Sequence, residues 1–197
     1  MARQVNQEIV SGIKSVRTLP NDAVEIGVII NAYGLSGWIK VATYSNIRFS
    51  SNTILSARNW WLQKGTDCRA VVIMHVKMHG TIFIANLARL DSRDAAMSIR
   101  GFRIFVRRAD FPVLAKDEFY WVDLIGLDVI NKQSLVLGKV TEIIDNGVHS
   151  ILQVEDLSTT KTRAPTLKKR LIPFICLYIK KVDQSMRRIV VDWKTDY

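Results

Sequence analysis

From residue 23 onward the apolar positions recur at the short intervals of β-strands. VEIGVII (24–30) is a β-branched run, Asn-Ala-Tyr-Gly-Leu-Ser-Gly (31–37) breaks it, and WIKVATY (38–44) alternates apolar and polar side chains. That order reads as strand, glycine-bearing loop and strand. NWWLQ and RAVVIMHVKM follow, joined by Lys64-Gly65-Thr66-Asp67, and His79-Gly80 turns the chain into TIFIANLARL. The period changes once. Asp91 is the expected N-cap, Asp94 lies three residues on, Ala95, Ala96 and Ile99 form one apolar face, and Gly101 closes a short helix over 92–100. After FRIFV, the charged and proline-broken run from Arg107 to Pro112 reads as a linker. LIGLDVI, LVLGKVTEII, SILQVED, RLIPFICLYIKKVD and RRIVVDW then repeat the strand pattern, with Asn146-Gly147 marking a hairpin.

This spacing predicts a mostly β protein made of two small β-barrels and a short capping helix, since closure is the economical way to remove sheet edges. The expected organisation is a flexible arm over 1–21, a first barrel over 22–107, a linker over 108–116 and a second barrel over 117–197. Ahead of the second barrel stand three adjacent aromatics, Phe119, Tyr120 and Trp121. Read as the start of a strand, they cannot all enter one core, because successive side chains face opposite sides. At least one ring then faces outward or packs on a neighbour, and exposed rings beside a sheet are a common grip on another protein.

Charge divides the chain unevenly. Of the net +10, residues 1–107 carry +8 and residues 108–197 carry +2. A basic first half fits a polyanionic partner, nucleic acid or an anionic membrane surface, and also fits a merely soluble surface. No apolar run has transmembrane length and the first twenty residues lack the apolar core of a signal peptide, so a cytoplasmic protein with no membrane partner is expected. Cys68 and Cys176 read as reduced thiols.

No catalytic residues are visible: phosphate loop, nucleophile elbow and paired carboxylates are all missing, and no cofactor is implied. His75 and His79 lie four apart in a strand without a third ligand, so no metal site is expected. Gly34 and Gly37 lead into a strand, which favours a tight turn over a phosphate cradle. Lys40 beside Tyr33 and Trp38, and Arg48 beside Phe49, set cations next to rings, the combination that contacts phosphates and stacks on unpaired bases. Lys168, Lys169 and Arg170 either do the same or act as gatekeepers beside LIPFICLYI.

Five segments in this order, GVIINAYGLSGWIKV, SRDAAMSIRG, DEFYWVDLIGLDV, LIPF and VDWKTDY, resemble the RimM family of ribosome maturation factors. The resemblance implies a RimM-type barrel similar to a domain of translation factors, followed by a PRC barrel. It implies a non-enzymatic assembly factor for the 30S subunit head that binds ribosomal protein S19 and assists 16S rRNA maturation. The family's paired tyrosines at the mouth of the PRC barrel map onto Phe119 and Tyr120, where phenylalanine keeps the ring and loses the hydroxyl. Trp38 stands where the family more often has an acidic residue. A monomer is the default. Two other readings stay open: a general single-strand RNA binder, and an RNA-modifying enzyme that uses a barrel to hold its substrate.

Overall fold

Six of the seven strands described in the first part of the chain close into a ring because one of them changes partner halfway along. The structure is a computed structural model and describes residues 12–44, 50–115, 117–156 and 169–194. It divides into two units, Met1–Ala115 and Lys116–Tyr197. The first contains β1 (Lys14–Val16), β2 (Ala23–Tyr33), β3 (Trp38–Thr43), α1 (Ser50–Ser56), β4 (Asn59–Lys64), β5 (Asp67–His79), β6 (Ile82–Leu87), α2 (Arg93–Ser98) and β7 (Arg103–Arg107). The ladder runs β1-β5-β4-β7-β2-β3-β6, and β6 pairs back onto β5 to close a six-stranded barrel. Asp67 to Val72 of β5 pair with β4; beyond that, Ile73 to His79 pair with β6, across a register shift between Ile73 and His75. Such a bulge bends a strand and lets it turn a barrel corner.

Alternation places Ile39, Val41, Phe83, Ala85 and Ile104 in the barrel core, all nearly inaccessible. β4 departs from alternation: Trp60, Trp61 and Leu62 are all buried. Trp61 therefore needs a cover on the second face. Val16 and Leu19 supply it, packing with Ala23 and Val72 against Trp61, Ala70 and Phe105. This corrects the expected arm: Lys14, Ser15 and Val16 pair antiparallel with Ala70, Arg69 and Cys68.

The short helix is present, but its N-cap is Ser92 and not Asp91, with the Ser92 hydroxyl accepting from the Ala95 amide at 3.2 Å. The expected linker also begins later than its sequence indicates. Arg108–Asp110 forms a single 3-10 turn, where the amides of Arg108 and Ala109 donate to the Asp22 carbonyl and carboxylate, and Phe111 is buried.

The second unit holds α3 (Trp121–Leu124), β8 (Asp128–Asn131), β9 (Val136–Asp145), β10 (Ser150–Glu155), β11 (Lys169–Pro173), β12 (Ile179–Asp183) and β13 (Arg188–Val191). Their order is β11-β10-β9-β8-β13-β12, antiparallel except for β8 with β13. All six strands contribute to one core around Val129, Leu137, Val140, Leu152, Val154, Ile172 and Ile189, with Ile179 and Val182 packed on it. Unlike the first ladder, this one has no strand pairing between its two ends, β11 and β12, among the described residues. Gly138 permits the close approach of β9 to β10, since at φ +139 a Cβ would lie 2.2 Å from the Glu155 carbonyl oxygen.

Candidate functional site

The partner change in β5 builds the first surface. Because its last residues join β6, register aligns Trp38 with Asn86 and Asn86 with His75, and in the next row Lys40 with Ile84 and Ile84 with Lys77. Paired residues in a sheet face the same side, so these rows lie on the outside, opposite Ile39, Phe83 and Ala85 in the core. Tyr33 pairs with Trp38 across the loop. The ring of Trp38 stacks on His75 (6.2 Å, 24°), and Tyr33 meets His79 edge-on at 5.4 Å. Both histidines are thus occupied by aromatic partners. Lys40 Nζ stands 5.8 Å from the Tyr33 ring centre and Lys77 Nζ 5.5 Å from that of Trp38, inside the range of cation–π attraction.

The loop between β2 and β3 is fixed by Gly37. At φ +73 a Cβ here would lie 1.6 Å from the Leu90 carbonyl oxygen, so only glycine fits. Arg93, in the first turn of α2, donates from Nη1 to the Gly34 carbonyl at 3.2 Å. The tip, Leu35, is exposed. No phosphate cradle results, because the loop feeds a strand.

Of the residues singled out for RNA, the structure brings Tyr33 and Lys40 together with Trp38. Arg48 and Lys168 lie outside the described residues. Lys169 is exposed and pairs with Glu155 at 3.1 Å. Arg170 is a correction: it is buried, and its Nη1 donates to the Leu137 carbonyl at 2.7 Å, so its guanidinium links β11 to β9 and does not stand on the surface. Lys77 and His75 were missed by sequence reasoning. The signal was present in the alternation of MHVKMH, which puts His75, Lys77 and His79 on one face.

The second surface lies in the second unit. Phe119, Phe174, Tyr178 and Trp193, all half-buried, pack on its core. Phe119 meets Phe174 edge-to-face at 6.2 Å and Tyr178 meets Trp193 at 5.0 Å. The expected strand entry at 119–121 is corrected: Tyr120 precedes α3, so Trp121 turns into the core while Phe119 stays at the rim. Tyr120 is 1% exposed, which leaves Phe119 as the ring of that pair that presents surface. Neither the pairing of Phe174 with Phe119 nor that of Tyr178 with Trp193 was foreseen, although LIPF and VDW carry two of these rings.

Among the described residues no three His, Cys, Asp or Glu side chains come together, and no helix is long and apolar enough to cross a membrane.

Comparisons with known proteins cover both units. Residues 24–111 match the RimM N-terminal domain and residues 121–197 the RimM PRC barrel domain. The ribosome maturation factors RimM of Burkholderia multivorans and Burkholderia vietnamiensis are each 55% identical to the chain. The matches span 94% of it in both cases, and 83% and 82% of those proteins. A crystal structure of a RimM protein from Pseudomonas aeruginosa aligns with 26% identity and a TM-score of 0.43, covering 89% of this chain and 100% of that one. With both of its units matched in order and relatives this similar over nearly the whole of it, the chain belongs to the RimM family of ribosome maturation factors.

Proposed function

We propose that the chain is a cytoplasmic, monomeric and non-catalytic assembly factor for the head of the 30S subunit. In this reading its PRC unit docks ribosomal protein S19 through Phe119 and the adjoining Tyr120, and its first unit faces 16S rRNA through Tyr33 and Lys40. The observation that supports it most is the half-exposed ring pair of Phe119 and Phe174, packed on the same core as the pair of Tyr178 and Trp193. Large rings held by a preformed scaffold lose little entropy on binding and recur as hot spots of protein interfaces. The unequal charge supports the division of labour, since the strongly basic half is the one with rings and lysines side by side.

Purified S19 retained by the tagged chain tests the dock. Phe119→Ala should weaken retention by about 2 kcal/mol, the usual cost of losing an anchor ring. Tyr120→Phe, which keeps the buried ring, should leave the fold intact and separates a hydroxyl contact from packing. Unchanged retention with Phe119→Ala and Tyr120→Ala combined would place the dock elsewhere. Binding to free RNA that is indifferent to S19 would favour the general RNA binder, and altered precursor rRNA after incubation would favour the modifying enzyme.

A further inference from the structure

Ile84 is only 2% exposed, yet it lies on the outside of the first barrel, between Lys40 of β3 and Lys77 of β5 in the ladder. It is the floor of an open groove of about 190 Å³ walled by Tyr33, Trp38, Lys77 and the loop residues 34–36. We propose that this groove takes one unpaired nucleotide of an RNA strand, its base against Trp38 and Tyr33 over Ile84 and its flanking phosphates on Lys40 and Lys77. The inference rests on the first unit being the RNA-facing one, and it adds what that face reads.

Three features select this occupant. The volume is below the roughly 300–1,000 Å³ of pockets that enclose whole small ligands, which suits a single flat ring. Both lysines hang over ring faces in the free chain, and no carboxylate lines the groove. An arriving base displaces the ammonium groups from the rings, and the nearest anions left for them are the phosphates of the same strand. A basic peptide would be repelled by Lys40, Lys77 and Arg93. An acidic peptide would satisfy the lysines but leave the ring faces unused. In a duplex both faces of each base are already stacked, so the groove discriminates single strand from duplex.

Fluorescence anisotropy of the full chain with a labelled oligouridylate, and with a blunt RNA duplex of equal phosphate number, decides it. Trp38→Ala should weaken oligouridylate binding roughly tenfold while moving duplex binding less than about twofold, and Trp38→Phe should restore most of the loss. Lys77→Gln, at an exposed strand position that does not endanger folding, should weaken both and lower the salt slope by about one phosphate. If Trp38→Ala changes neither affinity, or lowers both equally, the base site is wrong; a continued effect of Lys77→Gln would then leave the RNA-facing reading standing. If the unaltered chain binds neither RNA, that reading falls and the base site with it.

Discussion

Single residues set the positions on which the groove depends. Gly37 allows the β2–β3 loop to lie against Leu90, whereas Gly34, at φ +65, has open space around its Cα. The two are a matched pair for separating conformation from contact. Gly34→Ala should cost about 1 kcal/mol, the left-handed penalty alone, and Gly37→Ala about 3 kcal/mol or more, because the neighbouring backbone must move as well. Urea denaturation followed by far-UV circular dichroism measures both. Asp22 is a second such residue. Burial pushes its carboxyl up, but the Arg107 hydrogen bond, the Ala109 amide and the Arg107 charge outweigh this and hold it below the ordinary carboxylate value. A lowered folded pKa means that the stabilisation is present above about pH 4 and fades as pH falls through the folded value. With 34% of the side chain exposed, it amounts to less than about 1 kcal/mol. Asp22→Asn should therefore lower stability slightly at pH 7, with the gap to the parent closing toward pH 2 in a pH series of melts. Arg170 shows why charge alone misleads at this scale. In the sequence it is one of three successive cations, and only strand alternation distinguishes it from exposed Lys169.

Elements were legible wherever one face is apolar and the other polar. VEIGVII and WIKVATY became β2 and β3, and the hairpin at Gly80 joins β5 to β6. The failures share a cause: burial from both sides or ends, which no local period encodes. Trp60-Trp61-Leu62 in β4 required a cover on each face, and that requirement is the only trace in the sequence that Lys14–Val16 would become a strand. The same argument applied to Phe119, Tyr120 and Trp121 did expect one ring at the surface, as Phe119 is, but its premise was wrong, because the chain there is loop and helix and not strand. Removing the cover provides an element-scale prediction. Val16→Asp should destabilise the first unit by about 1 to 2 kcal/mol, the value of a half-buried apolar side chain plus the cost of a charge beside Trp61, read as a lower urea midpoint. The partner change of β5 was also invisible, since RAVVIMHVKM shows one long strand and nothing of the switch from β4 to β6. Without that switch His75 and Lys77 would not lie beside Trp38.

At the scale of the molecule, each of the two units carries a core of its own. Leu137 belongs to the core on which both aromatic pairs pack, and Leu137→Ala should cost about 2 to 4 kcal/mol there, seen as faster hydrogen exchange along β9 and β10. Fold class and family were readable because five separated segments keep their order; the composition of each surface was not, because it depends on which strands the closure makes neighbours. Phe174 and Trp193 lie 55 and 74 residues after Phe119 in the chain, yet all three share one core. In the proposed function these two surfaces grip an unfinished particle. The particles that co-purify with a tagged copy of the chain test this most directly. Small subunits still carrying unprocessed 16S rRNA, depleted when Phe119 and Trp38 are both replaced by alanine, are the predicted result. Recovery of mature ribosomes alone, or of no ribosomal particle, would contradict it.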